Sequence, residues 1–518
     1  MKPKITLRLD DPHLTMLHSA GIAGLGMTLK QLDLLYPDPN LRPGKMHWLL
    51  DEVGIELFWT GDDLIALDWL LSESFKVDDD GLISLTGLVP ASMDIEARIG
   101  LHQGIKKSFL QHGSCIKHSG KVSRPISIDG KVLELSYDKA TSYVYQTFSK
   151  KLCSRKGQLA TEPIGIKGWL YPGATVRHNF HEKETIFKEP PQLALALLFA
   201  PLACQFFFLP SNNFFNDPKI TVVVVPAIAN LITDSERLSS MANISYRDRC
   251  ISHSAEAGWR FFDRQTKQSD RELMNSCQVI TFQSEQWSNL LRFRSNVEIV
   301  EIRFNTLDRY QQVRAKLSNN RLVTNQKTEK SFLLATELYG LIIENVIRGS
   351  PCFRGLSQFV ADKDYWQELI INKSCFKEIM RQDELINNKV YKIFIIACHK
   401  ALRTEYAKLF DKAKDDDYIQ LDKLRQKIKH EIIVCVDAKS FRRWLVRFWS
   451  GCSENVADFN DIDDLLPSIL VESNWELFQD LALVSLVTYQ KAPKKLSPPP
   501  VNKDLSANKL VTPEGSTT

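Results

Sequence analysis

The sequence predicts an α+β protein: an irregular mixed α/β domain over residues 1–330, a helical bundle over 331–490 and a disordered tail over 491–518. Three observations carry that reading. Short alternating or β-branched runs are interleaved with helical patterns through the first 330 residues; beyond them apolar spacing is helical almost throughout. After Lys491, "PKKLSPPP" and "TPEGSTT" have no period at all, which predicts disorder. With 518 residues, 44% of them hydrophobic and 25% charged, the chain can bury a large core and divide into roughly two to four domains.

In chain order, "KITLRLDD" alternates as a strand does, and "HSAGIAGLGMTLKQLDLLY" opens on glycines and continues at helical spacing. "VGIELFW" reads as a strand. "DDLIALDWLLSESF" reads as a helix with Leu64, Leu67, Leu70 and Leu71 on one face, and "KVLELSYD" alternates again. "LALALLFAPLACQFFFL" (193–209) is interrupted by Pro201, so it predicts a core helix, a proline break and a buried strand rather than a membrane span. The run "ITVVVVPAI" (220–228) suits a buried central strand, and "QVITFQS" and "VEIVEIRF" are strands expected to flank a helix. Five long helical patterns follow: "SFLLATELYGLIIENVIRG", "YWQELIINKSCFKEIM", "LINNKVYKIFIIACHKALRTEYAKLF", "DYIQLDKLRQKIKHEIIVCVDAKSFRRWLVRFW" and "NWELFQDLALVSLVTYQK". They suit a bundle of about four or five helices.

The ten cysteines stand singly, with no C-x-x-C pair, so neither a disulfide framework nor a zinc knuckle is supported. No leader-like apolar run opens the chain, and a reducing cytoplasm is the expected location. The net charge of +4 is unevenly spread. Residues 101–156 hold eleven Lys or Arg against three Asp or Glu, and residues 380–450 hold sixteen against ten. Residues 451–480 hold eight acidic residues and no Lys or Arg. Such segregation attracts a polyanion along one path and repels it from another.

The motifs exclude more than they assign. Gly21, Gly24 and Gly26 do not have dinucleotide-binding spacing, and no G-K-[ST] follows; close backbone packing or a tight strand-to-helix turn accounts for them better. "DDDG" (78–81) lacks the alternation of a calcium loop and reads as a turn. His178 and His181 have no second pair to complete a metal site. No hydrolase elbow or zinc-protease motif occurs. Arg425 and His430, an R-x4-H spacing in a helical region, resemble the motif of HEPN-type ribonucleases, and on "KLRQKIKH" they equally read as part of a basic helix face.

"GWLYPGATVRHN" (168–179) places Trp169 and Tyr171 before a Pro-Gly turn, with Arg177 and Asn179 on one face after it. It is either a packed aromatic corner or a nucleic-acid surface, and the basic tract upstream favours the second. Phosphate-contact candidates in that tract are Lys106, Lys107, Lys150, Lys151, Arg155 and Lys156. In "LPSNNFFNDP" (209–218), Asn212, Asn213 and Asn216 suit base-edge contacts and Phe214 or Phe215 a wedge between bases; alternatively the loop is an Asn-rich turn with Phe anchors in the core.

"AGIAGLGMTL" (20–29) together with "GWLYPGATVRH" (168–178) resembles the large-subunit (Cas8) family of CRISPR type I Cascade complexes, in its Cas8a1/Csx13-like branch. The resemblance covers about the first 230 residues, and the rest agrees in architecture only. It implies a protein without a catalytic centre or cofactor, working in antiviral defense as part of a ribonucleoprotein. Such a subunit contacts guide RNA, recognises the PAM duplex of target double-stranded DNA and starts or stabilises the R-loop. Its implied partners are the Cascade backbone subunits, a guide-end-capping subunit and small subunits, with a helicase-nuclease or transposition proteins recruited later. In the helical region Lys400, Arg403, Lys423, Lys427, Arg442 and Arg443 would line the separated strands, and Met380 would be an internal start yielding a self-contained small-subunit-like fragment. A HEPN-like ribonuclease using Arg425 and His430, and a structural adaptor with no nucleic-acid contact, are the alternatives.

Overall fold

A computed structural model of the chain describes residues 2–166, 187–211, 214–215, 220–268, 274–287, 290–325, 330–410, 417–452 and 459–489. The chain divides into two compact units: Met1–Leu307 with Asn320–Thr324 and Lys330–Ala335, and Asp308–Asn319 with Asn325–Glu329 and Thr336–Thr518. The first is mixed α/β and the second helix-rich.

In the first unit, strand β1 (Ile5–Arg8) leads into helix α1 (Met16–Leu35), and β2 (His47–Leu50) and β3 (Gly54–Phe58) complete an antiparallel sheet in the order β1-β3-β2. Helix α2 (Asp63–Ser74) starts where the Asp62 carboxylate accepts from the amides of Leu64 and Ile65, and of the four leucines expected on one face it buries Leu67, Leu70 and Leu71, with Leu64 half-buried. A short hairpin of β4 (Phe75–Val77) and β5 (Ile83–Leu85) precedes helix α3 (Ile95–Lys107). A long two-stranded ribbon follows, β6 (Ile116–Ile128) against β7 (Lys131–Tyr143), and then the short helix α4 (Ser149–Leu152). Strands β8 (Ile164–Ile166) and β9 (Phe187–Glu189) pair with each other ahead of helix α5 (Pro191–Ala203).

The glycines of "AGIAGLGM" lie inside α1 rather than in a turn before it. A Cβ on Gly21 would stand 2.0 Å from the Ala196 carbonyl oxygen, and one on Gly24 would stand 2.1 Å from that of Phe199. Close packing of α1 on α5 is therefore what these glycines permit, and it sets the centre of this unit. Both helices are buried on nearly every side, which explains why neither shows a polar stripe.

The larger sheet runs β10 (Gln205–Leu209), β11 (Ile220–Pro226), β12 (Ser276–Trp287), β13 (Leu290–Glu301) in spatial order, all antiparallel. Val222 to Val225 of β11 are fully buried, as the valine run predicts. Helices α6 (Leu231–Ser240), α7 (Tyr246–Arg249) and α8 (Glu256–Gln268) lie between β11 and β12 in the chain. The helix expected between "QVITFQS" and "VEIVEIRF" does not form: those segments pair directly, Ile280 opposite Val297, because alternating β-branched and aromatic residues satisfy the backbone across the ladder. After helix α9 (Phe304–Lys316), β14 (Asn320–Thr324) and β15 (Ser331–Ala335) form a further hairpin. "SFLLA" is thus a strand rather than the first turn of a helix.

The second unit holds α10 (Glu337–Ile347), α11 (Leu356–Phe359), α12 (Lys363–Ile371), α13 (Lys373–Gln382), α14 (Lys389–Phe410), α15 (Asp417–Ile433), α16 (Ala438–Ser450), α17 (Phe459–Leu470) and α18 (Trp475–Thr488). These nine helices among the described residues exceed the expected four or five because two long patterns each break in two and because α11 and α17 form outside the five patterns. "DYIQ…RFW" breaks where the Asp437 carboxylate accepts from the Ser440 amide at 2.6 Å and starts α16. "YWQE…EIM" breaks at Asn372. Helix α18 is central, burying Leu481, Leu483, Val484, Leu486 and Val487. Its Asp480 carboxylate accepts from the amides of Gly355 and Ser357, both at 2.7 Å, and so holds the start of α11. Residues 491–518, where the disordered tail is expected, lie outside the described residues.

Candidate nucleic-acid interface

The basic tract of residues 101–156 becomes α3, the β6–β7 ribbon and α4. Asp129 and Gly130 close the ribbon with φ of 50° and 74°, the two-residue turn whose twist matches the flanking strands. One face of β7 carries Leu133, Leu135 and Tyr137 into a buried cluster with Ile99, Phe208 and Tyr246. Strand β6 pairs with no strand but β7 among the described residues, and Lys117 to Lys121 are all exposed. Its register shifts between Lys117 and His118 and again before Lys121, with Gly120 at φ 140°. Such bulges twist an edge strand and re-aim its side chains.

Asp138 on β7 is the anionic centre of this surface. Its carboxylate accepts from Lys106 Nζ, and with His118 and Lys121 close by, its pKa falls below the ordinary aspartate range, chiefly through the Lys106 bond. Burial, with Lys106 close by, disfavours the protonated form of His118. Two lysines, Lys106 and Lys121, thus lie near one carboxylate, which leaves this spot with a net positive charge.

The other residues of the tract divide into engaged and exposed groups. Arg124 is bonded to Asp80, and Arg98 bonds Asp78 at 2.5 Å, so "DDDG" is a turn that neutralises two arginines. Lys150, Lys151, Arg155 and Lys156 are exposed and form no ion pair among the described residues; Lys151 Nζ lies 5.7 Å from the Phe148 ring centroid. Lys107 ends α3 and is half-buried. Lys117, His118 and Lys121 join this surface although the sequence did not single them out as contacts. The Asp-Gly pair between two alternating runs was the signal for their hairpin.

In the second unit, Lys400 and Arg403 are one turn apart on α14, and Lys423 and Lys427 one turn apart on α15. The adjacent arginines of α16 do not act as one face. Arg442 donates to the carbonyls of Ile469 (3.2 Å) and Leu470 (2.7 Å) and so finishes α17, whereas Arg443 is exposed. Lys427 lies 4.0 Å from Glu431.

Arg177, Asn179, Asn212, Asn213 and Asn216, together with "GWLYPGATVRHN", lie outside the described residues. Of the two phenylalanines suggested as wedges, Phe215 is fully buried in the cluster under the ribbon and is a core anchor. Phe214 packs edge-on against Phe332 with centroids 5.8 Å apart. Arg425 and His430 are not brought together: five residues on a helix separate side chains by about 140°, and Arg425 lies beside the buried Tyr406 phenol while His430 is exposed. Met380 is buried in α13 with its sulfur 3.8 Å from Cys352 Sγ. Residues after Met380 also bond residues before it: the Asp480 carboxylate accepts from Gly355 and Ser357, and Lys429 Nζ donates to the Val360 carbonyl at 3.1 Å.

Among the described residues no group of three or more His, Cys, Asp or Glu is placed to hold a metal ion, and no helix is long and apolar enough to cross a membrane. None of the ten cysteines is joined in a disulfide among the described residues.

Two family models match the chain: the DevT N-terminal domain over residues 6–198 and the DevT C-terminal domain over residues 382–511. The chain is 22% identical over 521 residues to the CRISPR-associated protein Cas8a1/Csx13 of Myxococcus xanthus (strain DK1622), an alignment covering 94% of this chain and 88% of that protein. The homology is distant and spans nearly the whole of both chains.

Proposed function

We propose that the chain is a non-catalytic large subunit of a type I CRISPR Cascade complex that contacts guide RNA, recognises the PAM duplex and starts or stabilises the R-loop. The observation that carries this reading is the end-to-end similarity to a Cas8a1/Csx13 protein, which includes the basic N-terminal segment and the helical C-terminal one. The ribbon adds physical support. A two-stranded antiparallel ribbon has the width of a DNA major groove, and the exposed edge of β6 presents Lys117 and Lys121. Sequence would be read by RNA–DNA pairing, and the protein would supply phosphate contacts and PAM contacts. Arg177, Asn179, Asn212, Asn213 and Asn216 remain the proposed base-proximal residues, and Lys400, Arg403, Lys423, Lys427 and Arg443 proposed contacts of the separated strands.

The test is a pull-down of the tagged full-length chain from its own host, followed by sequencing of bound RNA and identification of bound proteins. Guide RNAs with Cascade backbone subunits are the expected result. Recovery of the chain with neither overturns the proposal, and RNA cleavage by the purified chain that disappears in His430→Ala replaces it with the ribonuclease reading.

A further inference from the structure

The second unit carries an open groove of about 590 Å³ between α13, α14 and α18. Its walls are aliphatic: Met380, Ile386, Ile395 and Val484. Its rim is cationic, formed by Lys377, Arg381 and Lys392, and no acidic side chain lines it. None of those three cations forms an ion pair among the described residues, although α14 does pair other lysines with acids, Lys389 with Asp464 at 2.5 Å and Lys408 with Glu405 at 2.8 Å. The neighbouring Lys373 is held down to about 8, first by burial and then by Arg425 and Lys377. His399 is engaged: its Nε2 faces the Ser485 carbonyl at 3.1 Å and the Thr488 hydroxyl at 3.2 Å.

We propose that this groove docks an apolar segment of a partner protein whose flanks carry Asp or Glu. Aliphatic walls that include a methionine adapt to Leu, Ile or Phe side chains and exclude water around them. The three unpaired cations at the rim then meet carboxylates, which speeds encounter and fixes orientation. Two other occupants fit worse. Nucleobases stack on aromatic faces, and Tyr489 at one end is the sole benzenoid ring in the lining. The chain's own residues 490–518 follow Tyr489 directly, but they hold five lysines against Asp504 and Glu514, so the rim repels them.

Fluorescence anisotropy on the full chain tests this with a labelled peptide of about four helical turns that carries Leu on one face and Glu on the other. Binding is expected, and the double variant Lys377→Glu with Arg381→Glu should weaken it at least about tenfold without changing the melting temperature. Ile395→Gln should weaken it as well, while a peptide with Lys in place of Glu, or Ser in place of Leu, should not bind. Four results would overturn the proposal. These are no binding, binding that is indifferent to the double variant, competition by a single-stranded oligonucleotide with the same dependence on the variants, and binding that appears only after truncation at Tyr489. The third assigns the groove to nucleic acid and the fourth to the chain's own tail.

Discussion

His102 on α3 faces the Asp138 carbonyl of the ribbon from Nε2 at 3.0 Å, while its Nδ1 accepts from the Ile83 amide at 3.1 Å. An acceptor role for Nδ1 puts the proton on Nε2, so a neutral, fully buried imidazole pins the strand that carries the anionic centre of the basic surface.

That pin makes stability depend on pH. Burial holds His102 down to about 4, with Lys106 and His118 acting in the same direction and Asp138 opposing them. Between about 6.5 and 4 the unfolded imidazole binds a proton that the folded one does not, so stability falls as pH falls through that window, by up to about 1.4 kcal/mol per pH unit. Denaturant midpoints at pH 7.5, 6 and 5 should show the loss, and His102→Gln should be less stable at pH 7.5 with a shallower pH dependence. An identical slope in the variant would assign the effect to other groups.

The charge on the ribbon gives a second expectation. Lys117→Ala with Lys121→Ala should reduce the slope of log affinity for duplex DNA against log salt by about 0.9 for each phosphate left without its lysine. Lys106→Ala should weaken binding with less change in slope, because its charge is already paired with Asp138. Titrations at several salt concentrations separate the two, and equal slopes for the double variant and the wild type would place Lys117 and Lys121 away from phosphate.

The contact between α1 and α5 has no room for a methyl group. Gly24→Ala should destabilise the protein by about 3 kcal/mol or more, since the obstacle is a backbone carbonyl that cannot rotate away. Gly113→Ala, which meets nothing within 4 Å, should stay within about 0.5 kcal/mol. Thermal unfolding of both variants checks the contrast.

Asp480 gives the corresponding expectation for the helical unit. Burial pushes its carboxyl up to about 6 despite the bonds from Ser357 and Gly355 that favour the charged form. Asp480→Ala strands two amides at the start of α11 and should cost about 2–4 kcal/mol, while Asp480→Asn, which keeps one acceptor, should cost about half as much. Hydrogen exchange at Gly355 and Ser357 should accelerate in the alanine variant.

The sequence by itself determined the division into a mixed α/β part and a helical part, the valine strand, the helix-then-strand order of "LALALLFAPLACQFFFL" and the placement of the basic tract, although the break expected at Pro201 does not occur: α5 runs through that proline to Ala203. Each of these depends on local periodicity or composition. Tertiary structure decided what periodicity cannot encode. The glycines of α1 serve a helix contact with residues 196 and 199, far along the chain, so no local pattern could show whether they made a turn or a packing face. "SFLLA" has the apolar content of a helix start and became a strand because "NRLVT" was available to pair with it. Likewise, which lysines of the tract carry outward charge depended on where acids came to rest. Lys106 and Arg124 are neutralised by Asp138 and Asp80, 32 and 44 residues away in sequence, whereas Lys150 and Lys151 met no carboxylate among the described residues. Charge counted along a chain is a sum over neighbours in sequence, and the field a partner meets is a sum over neighbours in space.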